Sequence, residues 1–285
     1  MKSAIWGIVG SIIVAAMAAC AHVAAPPVKF DAVTLPGTGD STDLLRDLAR
    51  AYTARYPDRQ VVVPNSTGSD GGVRVVGTGE APIGRVARLP QPEERAKYGE
   101  FKYTEFARVP VAFVVSRRAG VRDLSEQQIC DIYRGHVSNW KDVGGADLPI
   151  DVQERPDDGS NKQTIRRNMA CFTRLTVTPR AHFNLRNLDL VASMKTFAGA
   201  VGFMPLAEAQ LHALDVITVD GVAPEQPQYK LAIGLGFVYK TALSLSIQAF
   251  LDYLETEPAQ EIMRRSGHVP VAAGDTQHRG QARSR

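Results

Sequence analysis

The segment FKYTEFARVPVAFVVS, residues 101–116, is long, rich in β-forming residues and interrupted by Pro110. It exceeds the length of a usual strand, and a proline inside a strand marks an edge or an irregularity. We therefore expect an extended segment that leaves one domain and enters another. Residues 230–239 are also extended in character, and we interpret them as the return crossing. Two extended crossings predict a hinge between two lobes.

Short β-branched runs alternate with helical periodicity on both sides of these crossings, which is typical of an α/β fold. A helix is expected to begin at Ser125, with Gln128 as its capping-box partner, and to end at Gly135. The predicted organisation is a first lobe from both chain ends, a second lobe between them and a solvated tail. The first lobe comprises residues 32–112 and 235–274, the second lobe comprises residues 113–234, and the tail comprises residues 275–285.

The composition favours a packed globular protein and disfavours several functions. The 285 residues are 44% hydrophobic and 22% charged, and 33 basic against 30 acidic side chains leave a net charge of +3. This charge is too small and too evenly spread for a nucleic-acid footprint. The three cysteines lack the close spacing of a structural zinc site. We therefore expect no nucleic-acid partner and no metal.

Residues 1–19 have the features of a secretory signal peptide, with one cation, a short apolar stretch and small residues at the exit. An uncleaved membrane anchor is the alternative, although the apolar stretch is short for one. Residues 17–20, MAAC, resemble a bacterial lipobox that would place a lipid on Cys20, although Met17 is unusual there. Ordinary cleavage nearby is the other interpretation. Residues 20–31 would then be a spacer, and the mature protein would work outside the cytoplasm.

Export changes the interpretation of Cys130 and Cys171, because distant thiols pair in an oxidising compartment. We expect a disulfide bond between them. Two buried free thiols remain the alternative, since cysteine is among the most buried residue types.

Three loops combine glycine with small hydroxyl or polar residues immediately before a helical segment. They are the first loop (GTGDST, residues 37–42), the second loop (NSTGSDGG, residues 65–72) and the third loop (DDGSN, residues 157–161), with Arg155 just ahead of the third. Free N–H groups and the helix dipole make such helix starts suitable for anions. Three converging loops would surround one small oxyanion, whereas any one of them alone could be an ordinary helix start.

Enzyme motifs do not fit these loops. There is no Gly-x-Ser-x-Gly nucleophile elbow, no complete dinucleotide fingerprint and no phosphate-binding lysine loop. The six histidines stand singly. We therefore expect neither a catalytic group nor a cofactor.

Four stretches carry a specific resemblance. They are IYRGHVSNWKDVGG (residues 132–145), GSDGGV (68–73), GAVGF (199–203) and GHVPV (267–271). Over about residues 35–271 the sequence resembles the phosphate-binding periplasmic proteins of bacterial ABC uptake systems, within the two-lobed solute-binding superfamily. The resemblance implies the type II solute-binding fold, a periplasmic monomer, capture of inorganic phosphate between the lobes and delivery to an ABC permease. A binding protein for sulfate, molybdate or tungstate, and an envelope sensor without transport, are the alternatives.

The resemblance also implies the ligand-binding residues. By their match to the family's loops they are Ser41, Thr42, Ser69, Asp70, Arg155, Ser160 and Asn161.

Residues 83–88, IGRVAR, depart from the family pattern, because arginines stand where many members have an acidic acceptor for the phosphate proton. Arg88 either approaches the anion or faces solvent. Asp40, Asp70 and Asp158 are candidates for the missing acceptor, with helix capping as their alternative role. Without a carboxylate in the pocket, selectivity for phosphate over sulfate-like anions is expected to weaken.

Overall fold

The computed structural model describes residues 30–157 and 159–271. The predicted signal peptide (1–19), Cys20, most of the 20–31 spacer, Asp158 and the 275–285 tail lie outside the described residues.

The described residues contain twelve β-strands and nine α-helices. In chain order they are β1 (Val33–Thr34), α1 (Thr42–Arg55), β2 (Val61–Val62), α2 (Gly68–Gly77), β3 (Ile83–Val86), α3 (Pro92–Tyr98), β4 (Lys102–Val115), β5 (Asp123–Leu124), α4 (Glu126–Arg134), β6 (Asp151–Glu154), α5 (Ser160–Asn168), β7 (His182–Phe183), α6 (Asn187–Thr196), β8 (Ala200–Pro205), α7 (Leu206–Leu211), β9 (Asp215–Val216), β10 (Thr218–Val219), β11 (Ala232–Tyr239), α8 (Leu245–Leu254), α9 (Glu257–Arg265) and β12 (Val269–Pro270).

Strand β4 is the long extended segment expected from the sequence, and it joins the two halves of the main sheet. The strand order is β3-β11-β4-β8-β6-β7, with β9 and β12 also paired to β4. Residues 102–110 of β4 pair antiparallel with β11, whereas residues 111–115 pair with β8. Pro110, which cannot donate a backbone hydrogen bond, therefore lies where β4 changes partners. The predicted α/β architecture and the second extended segment, β11, are confirmed.

The core contains aromatic clusters in both halves of the sheet. Tyr52 of α1 packs edge-on against Phe250 of α8 in one half, with ring centroids 5.2 Å apart. Tyr133 of α4 packs against Phe172 in the other half, also at 5.2 Å. Burial of such side chains contributes roughly 1.5–3 kcal/mol each.

Helix α4 has the ends that its sequence predicts. The Ser125 hydroxyl accepts from the Gln128 N–H at 3.1 Å, and the Gln128 side chain accepts from the Ser125 N–H at 2.8 Å. Gly135 ends the helix in the left-handed region, at φ 81°. The structure also places the sulfur atoms of Cys130 and Cys171 2.01 Å apart, which is disulfide bonding distance. This bond ties α4 to the short 3-10 turn that follows α5.

Candidate functional site

The first loop connects the β1 region to α1 and contains a buried hydroxyl group without a partner. Ser41 is the N-cap of α1 and is only 1% exposed. Its Oγ atom has no hydrogen-bond partner among the described residues. A buried polar group without a partner is costly, so a hydroxyl of this kind at a helix start is suited to a ligand.

Three glycines hold the first loop, α2 and β3 in direct backbone contact. A Cβ atom would lie 2.1 Å from the Arg85 carbonyl oxygen if placed on Gly37, and 2.3 Å from the same oxygen if placed on Gly72. On Gly84 it would lie 2.2 Å from the Gly72 carbonyl oxygen. The Thr67 N–H also donates to the Gly37 carbonyl at 2.9 Å. Glycine at these positions therefore brings the first and second loops together.

The second loop opens α2, but its predicted ligands make internal contacts. The Ser69 hydroxyl accepts from the Ala87 N–H at 3.0 Å. The Asp70 carboxylate pairs with the Arg88 guanidinium, which also pairs with Glu94 at 2.8 Å. Arg88 in turn lowers the pKa of Glu94. Arg88 is therefore already paired with two carboxylates of the protein, and it is not a free cation in solvent.

The third loop follows β6 and opens α5, with Gly159 as the N-cap and Ser160 as the first helical residue. Arg155 is oriented by two neighbours, because its guanidinium donates to the Asn184 carbonyl at 3.2 Å and to the Asn187 side chain at 2.9 Å. Among the described residues no carboxylate forms an ion pair with Arg155. Partial burial lowers its pKa, and the group remains a cation at neutral pH.

A buried lysine of α5 forms ion pairs with an acid of β6 and an acid of the third loop. Lys162 is 2% exposed, and its ammonium group lies 2.8 Å from Glu154 and 2.6 Å from Asp157. These contacts lower the pKa of the Asp157 carboxyl, chiefly through the hydrogen bond from Lys162. Lys162 is thus an ion-pair partner that connects β6 to α5, and it also lines the cavity that the third loop faces.

The first and third loops line the same cavity. Its volume is about 530 Å³, and its walls include Gly39 and Asp40 from one side and Arg155, Ser160 and Asn161 from the other. The structure therefore brings together two of the three predicted loops, although residues 39 and 160 are far apart in the chain. Asp40 is exposed, and its carboxylate accepts from the Thr38 hydroxyl at 2.8 Å.

Four of the seven predicted ligands do not line this cavity. Ser41 and Thr42 lie at the start of α1, and Ser69 and Asp70 lie in the first turn of α2. The Thr42 hydroxyl accepts from Arg85 at 2.8 Å and lies 3.3 Å from the Thr38 carbonyl, so its hydrogen bonds are directed into the protein.

Arg85 is the residue that sequence reasoning missed. It is 0% exposed, and its guanidinium donates to the Thr42 hydroxyl at 2.8 Å and to the Pro64 carbonyl at 2.9 Å. Its Nε atom has no partner, and among the described residues no carboxylate pairs with it. Burial, together with the nearby Arg46, lowers the pKa of Arg85 to about 10. The sequence signals were an arginine inside a short apolar strand, β3, and the departure of residues 83–88 from the family pattern, which we had connected with Arg88 and not with Arg85.

The part of the chain that the structure describes shows no cluster of three or more potential metal ligands. Over the same residues, no helix is both long enough and apolar enough to span a bilayer.

Comparisons with known proteins show the family of the chain. A family model described as a PBP superfamily domain matches residues 24–258. The phosphate-binding protein PstS of Bacillus subtilis is 25% identical over 247 residues, covering 84% of this chain and 80% of that protein.

Solved structures show the same fold. One is a putative phosphate ABC transporter substrate-binding protein with bound phosphate from Clostridium perfringens, with a TM-score of 0.63 and 24% identity, covering 85% of this chain and 100% of that one. Another is an ABC-type phosphate transport receptor from Vibrio cholerae, with a TM-score of 0.65 and 22% identity, covering 84% and 99%. The expected type II solute-binding fold is confirmed, and the chain belongs to the PBP superfamily, whose members here are substrate-binding proteins of phosphate ABC transporters.

Proposed function

We propose that this protein captures inorganic phosphate in the cavity between the first and third loops and delivers it to an ABC permease. The observation that carries the proposal is Arg155, which lines a cavity shared with the first loop and forms no ion pair with a carboxylate among the described residues, although Asp189 is near enough to interact with its charge. Arginine is suited to this task because its planar fork donates two parallel hydrogen bonds to an oxyanion.

The helix starts around the cavity support an anionic ligand. Ser160 and Asn161 occupy the first turn of α5, where backbone N–H groups lack helical acceptors. The partial positive charge at that end favours an anion. Ser41, with its unpartnered hydroxyl, provides a further donor if the first loop shifts when the lobes close. Binding by hydrogen bonds and charge requires no covalent step.

Phosphate is the preferred ligand because the relatives named above are phosphate-binding proteins. Delivery to a permease, a periplasmic location, a lipid on Cys20 and a monomeric state belong to the same proposal. They rest on the predicted export signal and on membership of the family. The two lobes would be residues 32–112 with 235–274 and residues 113–234, which agrees with the change of partners along β4.

A second candidate is capture of another tetrahedral oxyanion, such as sulfate or molybdate. The observation that favours it is the pairing of Asp70 with Arg88, which leaves Asp70 less available to accept a proton from phosphate. Asp40, Asp43 and Glu208 are the acids that line the cavity, and the Asp40 carboxylate already accepts from Thr38. A site in which none of these carboxylates accepts the phosphate proton would discriminate less between phosphate and sulfate.

Calorimetry of the purified mature protein against phosphate, sulfate and molybdate tests the proposal. We expect heat of binding with phosphate, and we expect Arg155→Ala to weaken that binding at least tenfold, or about 1.4 kcal/mol. Arg117→Ala is the matched control, because Arg117 is 85% exposed and pairs with Asp215 on the surface.

The outcomes separate the candidates. Binding of sulfate or molybdate in preference to phosphate would support the second candidate, and silence with every anion would favour a role without transport. Unchanged affinity in the Arg155→Ala variant would remove Arg155 from the site.

A further inference from the structure

Two arginines of the sheet are buried, and they differ in their partners. Arg108 of β4 is 7% exposed and donates to both carboxylate oxygens of Glu105, at 3.0 and 3.2 Å. Arg85 of β3 is 0% exposed, and within residues 30–157 and 159–271 it donates only to neutral oxygens, those of Thr42 and Pro64. One buried charge is therefore compensated within the protein and the other is not.

An uncompensated buried charge is costly. Removing an ion from water costs several kcal/mol even after relaxation, and only an opposite charge or a full set of hydrogen bonds offsets this cost. Arg85 lacks both, since its Nε atom has no acceptor. Another cation, Arg46, lowers the pKa of Arg85 further. Such a group is expected where a ligand of opposite charge completes the site.

The charged group of Arg85 lies next to the first loop. Its guanidinium contacts Thr42, which is the first residue of α1, and its backbone pairs with Gly37 at the start of the loop. The N-terminal end of α1 adds a partial positive charge at the same place. Ser41, whose buried hydroxyl has no partner, lies between Thr42 and the loop residues that line the cavity.

The acidic groups near this loop are in solvent. The Asp43 side chain is 99% exposed and lies 3.9 Å from Arg46, and Asp40 is also exposed. Charges in water are strongly screened, so these carboxylates compensate a buried cation poorly.

We propose that Arg85 is the buried positive charge that a bound oxyanion neutralises across the first loop. This inference rests on the proposed function. Arg155 contacts the anion from the third-loop side, and Arg85 attracts it from behind the first loop through the low-dielectric interior. The ligand class is a small oxyanion, with phosphate and sulfate as the simplest members.

The test combines calorimetry with thermal unfolding of the anion-free protein, using Arg85→Met, Arg85→Lys and Arg108→Met. The Arg85→Met variant keeps much of the side-chain volume and removes the charge. We expect it to lose at least tenfold in phosphate affinity while its anion-free melting temperature stays at or above that of the wild type. Arg85→Lys keeps the charge and should lose less affinity than Arg85→Met.

Arg108→Met is the matched control and should behave in the opposite way. It leaves Glu105 without its cation, so the melting temperature should fall while phosphate affinity stays within twofold of the wild type.

The possible results either support or overturn the proposed role of Arg85. Unchanged phosphate affinity in Arg85→Met overturns it and leaves the proposed function standing. A much lower anion-free melting temperature, or failure of that variant to fold, assigns Arg85 a structural role and also overturns it. Equal losses in Arg85→Lys and Arg85→Met exclude charge as the cause. A wild-type protein that binds neither phosphate nor sulfate overturns both proposals together.

Discussion

The two walls of the cavity are built in different ways. The first wall is the first loop, which backbone contacts at Gly37, Gly72 and Gly84 hold against α2 and β3; behind it lies Arg85, which has no counter-ion among the described residues. The second wall, made of the third loop with β6 and α5, is held by charged side chains that pair with one another around Lys162. Close backbone packing thus fixes one wall, and an ion-pair network fixes the other.

This difference separates stability from ligand binding. In the second wall, the buried charge of Lys162 has its partners within the protein, so removing it should mainly destabilise the fold. Behind the first wall, the charge of Arg85 has no such partner in the part of the chain that the structure describes, so removing it should mainly affect the ligand. Substitutions at Lys162, Gly84 and His268 test this distinction, in order of decreasing effect on stability.

Lys162→Met should produce the largest loss of stability. It leaves Glu154, whose side chain is 11% exposed, without its cation, and breaking a buried ion pair costs roughly 3–5 kcal/mol. Denaturant unfolding followed by circular dichroism measures this free energy. The exposed Lys195→Met is the control and should change it by less than about 0.5 kcal/mol.

A double variant, Glu154→Met with Lys162→Met, sharpens the result. Because it removes both charges, it should recover part of the lost stability. A loss below about 1 kcal/mol in Lys162→Met alone would contradict the view that this ion pair supports the second wall.

Gly84→Ala tests the backbone contacts of the first wall. The new Cβ atom would lie 2.2 Å from the Gly72 carbonyl oxygen, so β3 and α2 must separate, at a cost of about 2 kcal/mol. Phosphate affinity should fall as well, because the first loop is positioned by β3. Thermal unfolding and calorimetry measure the two effects.

Gly79→Ala is the control for Gly84→Ala. Gly79 has a φ of +79° and no atom within 4 Å of a Cβ, so it should show backbone strain of about 1 kcal/mol and unchanged affinity. A Gly84→Ala protein as stable as the wild type would show that the contact is not tight.

His268 should produce the smallest effect, which depends on pH. It lines the cavity, its Nδ1 atom has no partner, and burial lowers its pKa below the usual 6.5. The unfolded chain therefore takes up this proton at a higher pH than the folded protein does. The free energy of unfolding should thus decrease as the pH falls from about 6.5 toward the folded pKa.

The measurement compares melting temperatures of the wild type and His268→Gln between pH 7.5 and 5, without added anion. The variant should lose less stability on acidification, by at most about 1.4 kcal/mol per pH unit. Parallel curves would show that His268 does not contribute to the acid response.

The parts of the fold that depend on local sequence signals were predictable. The capping box of Ser125 and Gln128, the stop at Gly135 and the long strand interrupted by Pro110 all follow from neighbouring residues. Helix α6 was not predicted, because its apolar residues Leu188, Leu190 and Val191 do not follow one helical face.

The site was predictable in its loops but not in its contacts. The first and third loops were recognised as helix starts, and they do line one cavity. The roles of Arg85 and Thr42 depend on a hydrogen bond between residues 43 positions apart, which no local pattern reveals. The pairing of Asp70 with Arg88 is likewise tertiary. Burial and partner choice are properties of the folded chain, and they decide which charges remain for a ligand.

The most direct test is a crystal structure of the mature protein grown with phosphate. We predict an anion between the first and third loops, with the Arg155 guanidinium, Ser160 and the Ser41 hydroxyl within hydrogen-bond distance, and Arg85 behind the first loop. A cavity that stays empty at saturating phosphate, or an anion bound away from both loops, would contradict it.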